Sequence, residues 1–192
     1  MTIGKARITI CPFDRENNRL REELAQMFET IFPQAYQGVG KEEADSCLAD
    51  DRIAIIAVAK NHLVGFIGAI LQYGTTGYEL HPIMVDNNYR SLGIGTLLIK
   101  ALETEVVSRG GITIYLGTDD EFGKTSLSGC DLYDHTFERI KEIKNLHRHP
   151  YEFYQKLGYQ IVGVIPDANG FGKPDIWMAK RVRTDDGFPF PE

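Results

Sequence analysis

The segment from Glu79 to Thr96 gathers a carboxylate, an imidazole, a guanidinium and two glycines into one short stretch. Within it, Arg90-Ser91-Leu92-Gly93-Ile94-Gly95-Thr96 has the spacing R-x-x-G-x-G. Upstream, Tyr78 to Val85 carries the apolar residues Leu80, Ile83, Met84 and Val85; downstream, Leu98, Ala101, Leu102 and Val106 recur at helical spacing between Thr96 and Arg109. The glycines therefore fall at a strand-to-helix turn. Residues without a Cβ let a ligand approach the backbone, and the first N–H groups of the helix have no partner inside it. That combination, with the fixed charge of Arg90, suits an anionic phosphate. No Gly-Lys-Ser/Thr follows, and Leu98 stands where a dinucleotide fingerprint needs its third glycine. A glycine turn that merely starts a helix would show the same spacing.

Glu79 lies two residues before His81, so a strand puts both on one face. A carboxylate there can hold a substrate ammonium or accept its proton; a solvated strand glutamate is the alternative. Pro82 cannot donate to a neighbouring strand, which suits a strand that leaves its partner, an edge, or a bulge. His147 and His149 have no carboxylate or cysteine at metal-binding spacing, and no metal is expected there or at His81.

These groups need a frame. Ala6 to Cys11 alternates as a strand, and Asn17 to Phe32 places Leu20, Leu24, Met27, Phe28 and Ile31 on one helical face closed by Pro33. Glu42 to Ala49 reads as a short helix. Ile53 to Ala59 and Leu63 to Gln72 read as strands joined by Lys60-Asn61-His62, and Gly74 to Gly77 turns the chain into the strand with Glu79. A strand at Ile112 to Leu116 follows the long helix. Beyond a polar stretch, helices are predicted at Leu132 to Ile143, with Phe137 and Ile140 inward, and at Pro150 to Lys156. Strands at Tyr159 to Ile165 and Asp175 to Lys180 complete the order, bridged by Asp167 to Gly170. The pattern predicts an α/β fold with helices on both faces of a mixed sheet.

The chain has 192 residues, enough for one ordinary domain. Lys and Arg number 21 against 27 Asp and Glu, a net charge of −6 that disfavours nucleic acid and favours a cationic partner. Cys11, Cys47 and Cys130 are an odd set without metal-like spacing, which suits free thiols in a reducing, cytoplasmic compartment. The start, MTIGKARITI, lacks the pattern of a signal peptide, and no apolar run approaches the length of a membrane span. No membrane partner is expected.

The succession of strand, R-x-x-G-x-G, long helix, second strand and then Phe153-Tyr154-Gln155-Lys156-Leu157-Gly158-Tyr159 resembles the GCN5-related N-acetyltransferase (GNAT) superfamily. The resemblance implies a single GNAT-type α/β domain over residues 1–182 with a splayed mixed sheet, followed by a disordered tail at 183–192. It implies acetyl-coenzyme A as co-substrate, its pyrophosphate on Arg90, Ser91, Leu92, Gly93, Ile94, Gly95 and Thr96, and its thioester and pantetheine along the main chain of His81, Ile83, Met84 and Val85. It also implies catalytic roles for Glu79, His81 (through its backbone) and Tyr154, the last as proton donor beside the coenzyme sulfur. Many members carry an asparagine seven residues before this tyrosine; here His147 stands there, with Asn145 two positions earlier. The superfamily often forms homodimers, to which the final strand pair would contribute.

Longer strings, LVGFIGAILQYGTTGYELHP, SRGGITIYLGTDDE and HPYEFYQKLGYQIVGVIPDANGFGKPDIWMAK, resemble the aminoglycoside 6'-N-acetyltransferases, particularly the enterococcal chromosomal type. The implied acceptor is a polycationic small-molecule amine. Such a ligand needs carboxylates for its ammonium groups and aromatic faces for its sugar rings; Glu79, Asp119 and Asp120 are candidates for the first, Phe32, Tyr36 and Tyr73 for the second. Members can have tryptophan at the position of Phe32. The implied reaction is direct acyl transfer without a covalent enzyme intermediate. Two other readings are an acetyltransferase of basic proteins, peptides or polyamines with incidental aminoglycoside activity, and a non-catalytic sensor of acyl-coenzyme A.

Overall fold

A computed structural model describes residues 2–3 and 6–184. They form two compact units, one made of the residues up to 112 together with those from 182, the other of Thr113–Arg181. Residues 185–192 of the expected tail lie outside the described residues.

In the first unit the strands β1 (Thr2–Ile3), β2 (Ala6–Pro12), β3 (Ile53–Ala59), β4 (His62–Tyr73) and β5 (Gly77–Val85) pair in that order, each antiparallel to the next. Lys60 and Asn61, both at positive φ (50° and 66°), make the tight turn between β3 and β4. Three helices precede β3: α1 (Asn18–Ile31), the single turn α2 (Pro33–Tyr36) and α3 (Gly40–Cys47). Asn17 caps α1 by accepting the Leu20 amide at 3.2 Å. Pro33 ends α1 as expected and then occupies the first position of α2. The helix expected at Glu42 to Ala49 begins two residues earlier and stops at Cys47.

Leu20, Leu24, Met27 and Phe28 of α1 and Ala44 and Cys47 of α3 form one core with Phe66 and Met84. The helix α4 (Ile94–Ser108) covers the opposite face, since a side chain at Gly65 would meet Leu98 and Ile94. Strand partners point to the same face, so the register of β4 with β5 sorts the side chains. Phe66 pairs with Met84 and Ile70 with Glu79 on the α1/α3 face; Ile67 pairs with Ile83 and Ala69 with Leu80 on the α4 face. Between these pairs two β5 residues, His81 and Pro82, oppose the single residue Gly68. The strand thus contains a bulge, and side-chain parity inverts across it. The His81–Pro82 peptide is cis. Position 68 must be glycine for this packing, because a Cβ there would lie 2.7 Å from the His81 carbonyl oxygen.

The second unit pairs β6 (Thr113–Asp119) with β8 (Asp175–Arg181), and β8 with β7 (Gln160–Ile165), all antiparallel. Two short helices, α5 (Thr136–Lys141) and α6 (Tyr151–Gln155), lie between β6 and β7. Here the sequence reading of a helix over Leu132 to Ile143 is corrected. His135 adopts a left-handed conformation (φ 54°) that blocks helix before Thr136, and Phe137, expected inward, is 79% exposed. The buried anchor is instead Leu132, whose carbonyl accepts the Thr136 hydroxyl at 2.6 Å.

Candidate active site

Strand β5 leaves the sheet through a 3-10 turn, Asn87–Tyr89, which the Asp86 side chain caps by accepting the Asn88 amide at 2.7 Å. Arg90 follows, exposed, with its Nε donating to the Val85 carbonyl at 3.3 Å. Ser91 (φ 61°) and Gly93 (φ 81°) both take left-handed conformations, and Gly93 opens α4 with no side chain capping the helix. The Leu97 amide is the first to bond back, to the Gly93 carbonyl at 3.1 Å. The amides of Ile94, Gly95 and Thr96 are therefore left without an acceptor in the helix, and a Cβ on Gly93 would meet nothing within 4 Å. This is an open cradle of N–H donors at the positive end of a 15-residue helix. It fits a diphosphate.

On the α1/α3 face of β5, Glu79 and His81 stand side by side in the alternation, both half-buried. The Glu79 carboxylate accepts the Gln72 side-chain amide at 3.0 Å and has no ion-pair partner among the described residues. His81 faces a residue that the sequence did not single out: Glu43 of α3, with Oε1 3.8 Å from the imidazole Nε2. Ile83 and Val85 belong to the α4 face, Met84 to the other, where it is buried. Phe32 and Tyr36 form an aromatic run leading out of the core, with Tyr36 set edge-on to Phe28 at 5.1 Å and to Phe32 at 6.1 Å. Tyr73, 63% exposed, lies over Gly77 where the β4–β5 hairpin turns.

Tyr154 sits on α6 in the second unit, nearly enclosed, edge-on to Phe153 and to Tyr159. Burial drives its phenol pKa upward, so the group keeps its proton. Asn145 is committed elsewhere. Its amide donates to the His149 carbonyl at 2.9 Å and its carbonyl accepts the His149 amide at 2.7 Å. The His149 ring accepts the Tyr151 amide at Nδ1 and donates from Nε2 to the Asp119 carbonyl at 3.0 Å, with burial holding its pKa below the usual value. His149 is thus a neutral cross-link of the loops. Among the described residues no three His, Cys, Asp or Glu side chains group as metal ligands.

The two neighbouring aspartates at the end of β6 differ completely. Asp119 points outward and accepts the Asn169 amide at 2.6 Å. Asp120 is 0% exposed and accepts the Lys124 amide at 2.6 Å, the Thr125 amide at 2.8 Å and the Thr125 hydroxyl at 2.7 Å. Its carboxylate organises the loop and, fully buried, offers no exposed atom to a ligand.

Residues 17–133 match the model of the Acetyltransferase (GNAT) family. The chain belongs to the GNAT acetyltransferases, and its α/β fold is of the GNAT type, as the sequence predicted. Among solved structures it is similar to an aminoglycoside 6'-N-acetyltransferase complexed with coenzyme A, with 52% identity over 96% of this chain and 99% of that one and a TM-score of 0.89. An aminoglycoside 6'-N-acetyltransferase from Enterococcus faecium gives 52% identity over the same shares, with a TM-score of 0.88. An aminoglycoside 6'-acetyltransferase type Ii gives 46% identity over 95% and 99% of the two chains, with a TM-score of 0.75. The comparison with curated proteins found no match. Among the described residues, no helix is long and apolar enough to cross a membrane.

Proposed function

We propose that the protein is an aminoglycoside 6'-N-acetyltransferase. Acetyl-coenzyme A supplies the acetyl group as an activated thioester. The observation that carries the reading is one strand that bears a carboxylate with no ion-pair partner among the described residues, Glu79, and then leads into the N–H cradle at Gly93. Arg90 and the amides from Ser91 to Thr96 hold the diphosphate. At the bulge His81 and Pro82 leave regular pairing with β4, and the main chain from His81 to Val85 provides hydrogen-bonding groups for the pantetheine arm and the thioester carbonyl.

Glu79 holds the 6'-ammonium, or accepts its proton, so that the neutral amine attacks. Tyr154, a phenol that holds its proton at neutral pH, donates to the departing thiolate. Phe32, Tyr36 and Tyr73 offer faces for the sugar rings, and Asp119, in no ion pair among the described residues, offers a charge for a distal ammonium. Asp120 takes no part. The active form is read as a cytoplasmic homodimer. Val162, Ile165 and the 98%-exposed Phe171, all in the final strand pair and its connection, support a second copy as their cover, and three free thiols suit a reducing compartment.

The test is acetyl transfer to kanamycin-type aminoglycosides with and without a 6'-amine, with mass spectrometry locating the added group. Acetylation confined to the 6' position is expected. Equal acetylation of the analogue lacking that amine would replace this reading with general amine acetylation, and failure over a wide amine panel despite cofactor binding would make the protein a sensor.

A further inference from the structure

Two glutamates in the first unit are equally shielded, each with a side chain 24% exposed: Glu23 on α1 and Glu43 on α3. Glu23 is fully compensated. It pairs with the Arg19 guanidinium, lies 3.1 Å from His62 Nδ1, and accepts the Leu63 amide at 2.7 Å. Glu43 has no comparable set. Its nearest partners are the Cys47 thiol, a weak donor at 3.6 Å, and the His81 imidazole at 3.8 Å, beyond hydrogen-bonding distance. Among the described residues no lysine or arginine pairs with it. A carboxylate drawn partly out of water is best served by a cation, and near the start of α3 it meets only the partial charge of the helix end. The missing partner is positive.

The position of Glu43 identifies that partner. It reaches toward β5 on the α1/α3 face, the face that carries Glu79, and it meets the side chain next to Glu79 in the alternation. We propose that Glu43 determines specificity by pairing a second ammonium of the polyamine acceptor while Glu79 holds the reacting amine. This rests on the acetyltransferase reading and adds to it a preference for acceptors with at least two cationic groups. Glu43 then selects by charge count and leaves the chemical step to Glu79 and Tyr154.

Kinetics of Glu43→Gln, which keeps the shape and removes the charge, test the assignment against wild type. The acceptors are a kanamycin-type aminoglycoside and a 6-amino-6-deoxyhexose bearing a single amine. For the aminoglycoside KM is expected to rise about 5–20-fold, as for loss of a partly shielded ion pair. Its kcat, the KM for acetyl-coenzyme A and the KM for the single-amine sugar are expected to stay within about twofold. Glu43→Asp, which shortens the reach and keeps the charge, should fall between. Equal effects on both acceptors, or no effect on either, would overturn the assignment of Glu43 while wild-type transfer upholds the acetyltransferase reading. Absence of transfer by the wild-type protein to any amine would overturn that reading and this one together.

Discussion

The carboxylate of Asp120, in the second unit, accepts three hydrogen bonds from its own loop, whereas that of Glu79, in the first, accepts one from the tip of Gln72. Both are acidic residues at or near the end of a strand, and the sequence nominates both for the same task. Their surroundings assign them opposite ones. A carboxylate ringed by main-chain N–H groups is pre-satisfied and holds the chain; one with a single amide partner and no cation retains the affinity that a charged substrate can use. Donor count around a carboxylate separates architecture from recognition more sharply than burial does, as the equally shielded Glu23 and Glu43 also show.

Substitution breaks or sharpens this contrast. Replacing Glu79 with Ala should lower turnover on aminoglycosides by at least about 10²-fold, the usual weight of a general base or positioning carboxylate. Calorimetry should find acetyl-coenzyme A binding within about twofold of wild type and melting should scarcely move; a coincident loss of cofactor affinity would remove the distinction. Asp120→Ala should do the reverse. Stripping three donors, two of them buried, of their acceptor is expected to cost about 3 kcal/mol of stability, read as a melting temperature lower by roughly 6–12 °C, with turnover per folded molecule nearly unchanged. A normal melting temperature would mean the loop does not depend on that carboxylate.

The smallest effect concerns His149. Its pKa is lowered in the folded protein, mainly by burial, from the ordinary value of 6.5. The unfolded chain therefore binds the extra proton first as pH falls. The stability this neutral histidine contributes is complete above pH 6.5 and declines as pH drops from there toward the folded-state pKa. Unfolding followed from pH 8 to pH 5, with the ring titration observed by NMR, should show His149 charging below 6.5; titration at or above that value would contradict its place as a neutral cross-link.

Much of this organisation is legible from residue types and spacing. The cradle at Gly93, α1 with its Asn17 cap, and the shared face of Glu79 and His81 all follow from local rules: left-handed glycine, helical period and strand alternation. Asp119 and Asp120 read alike as candidates in the sequence, and only the structure separates the exposed one from the buried one. Local rules fail where distant contacts decide. A helical spacing of apolar residues over Leu132 to Ile143 is realised only in Thr136–Lys141, because the left-handed His135 interrupts it and leaves Leu132 as the buried anchor of a loop. Asn145 gives no sequence sign of its engagement with His149. Glu43 looks like any acidic residue in the first turn of a helix, and only its proximity to His81 across the fold distinguishes it.

The extra residue opposite Gly68 makes the aim of Glu79 a matter of counting. Were the strand to run through positions 81 and 82 without the bulge, the partners of Gly77 to Leu80 would slide by one place and Glu79 would be delivered to the underside, against α4, whereas removing one of the two residues would leave Leu80 opposite Ala69 and Glu79 opposite Ile70.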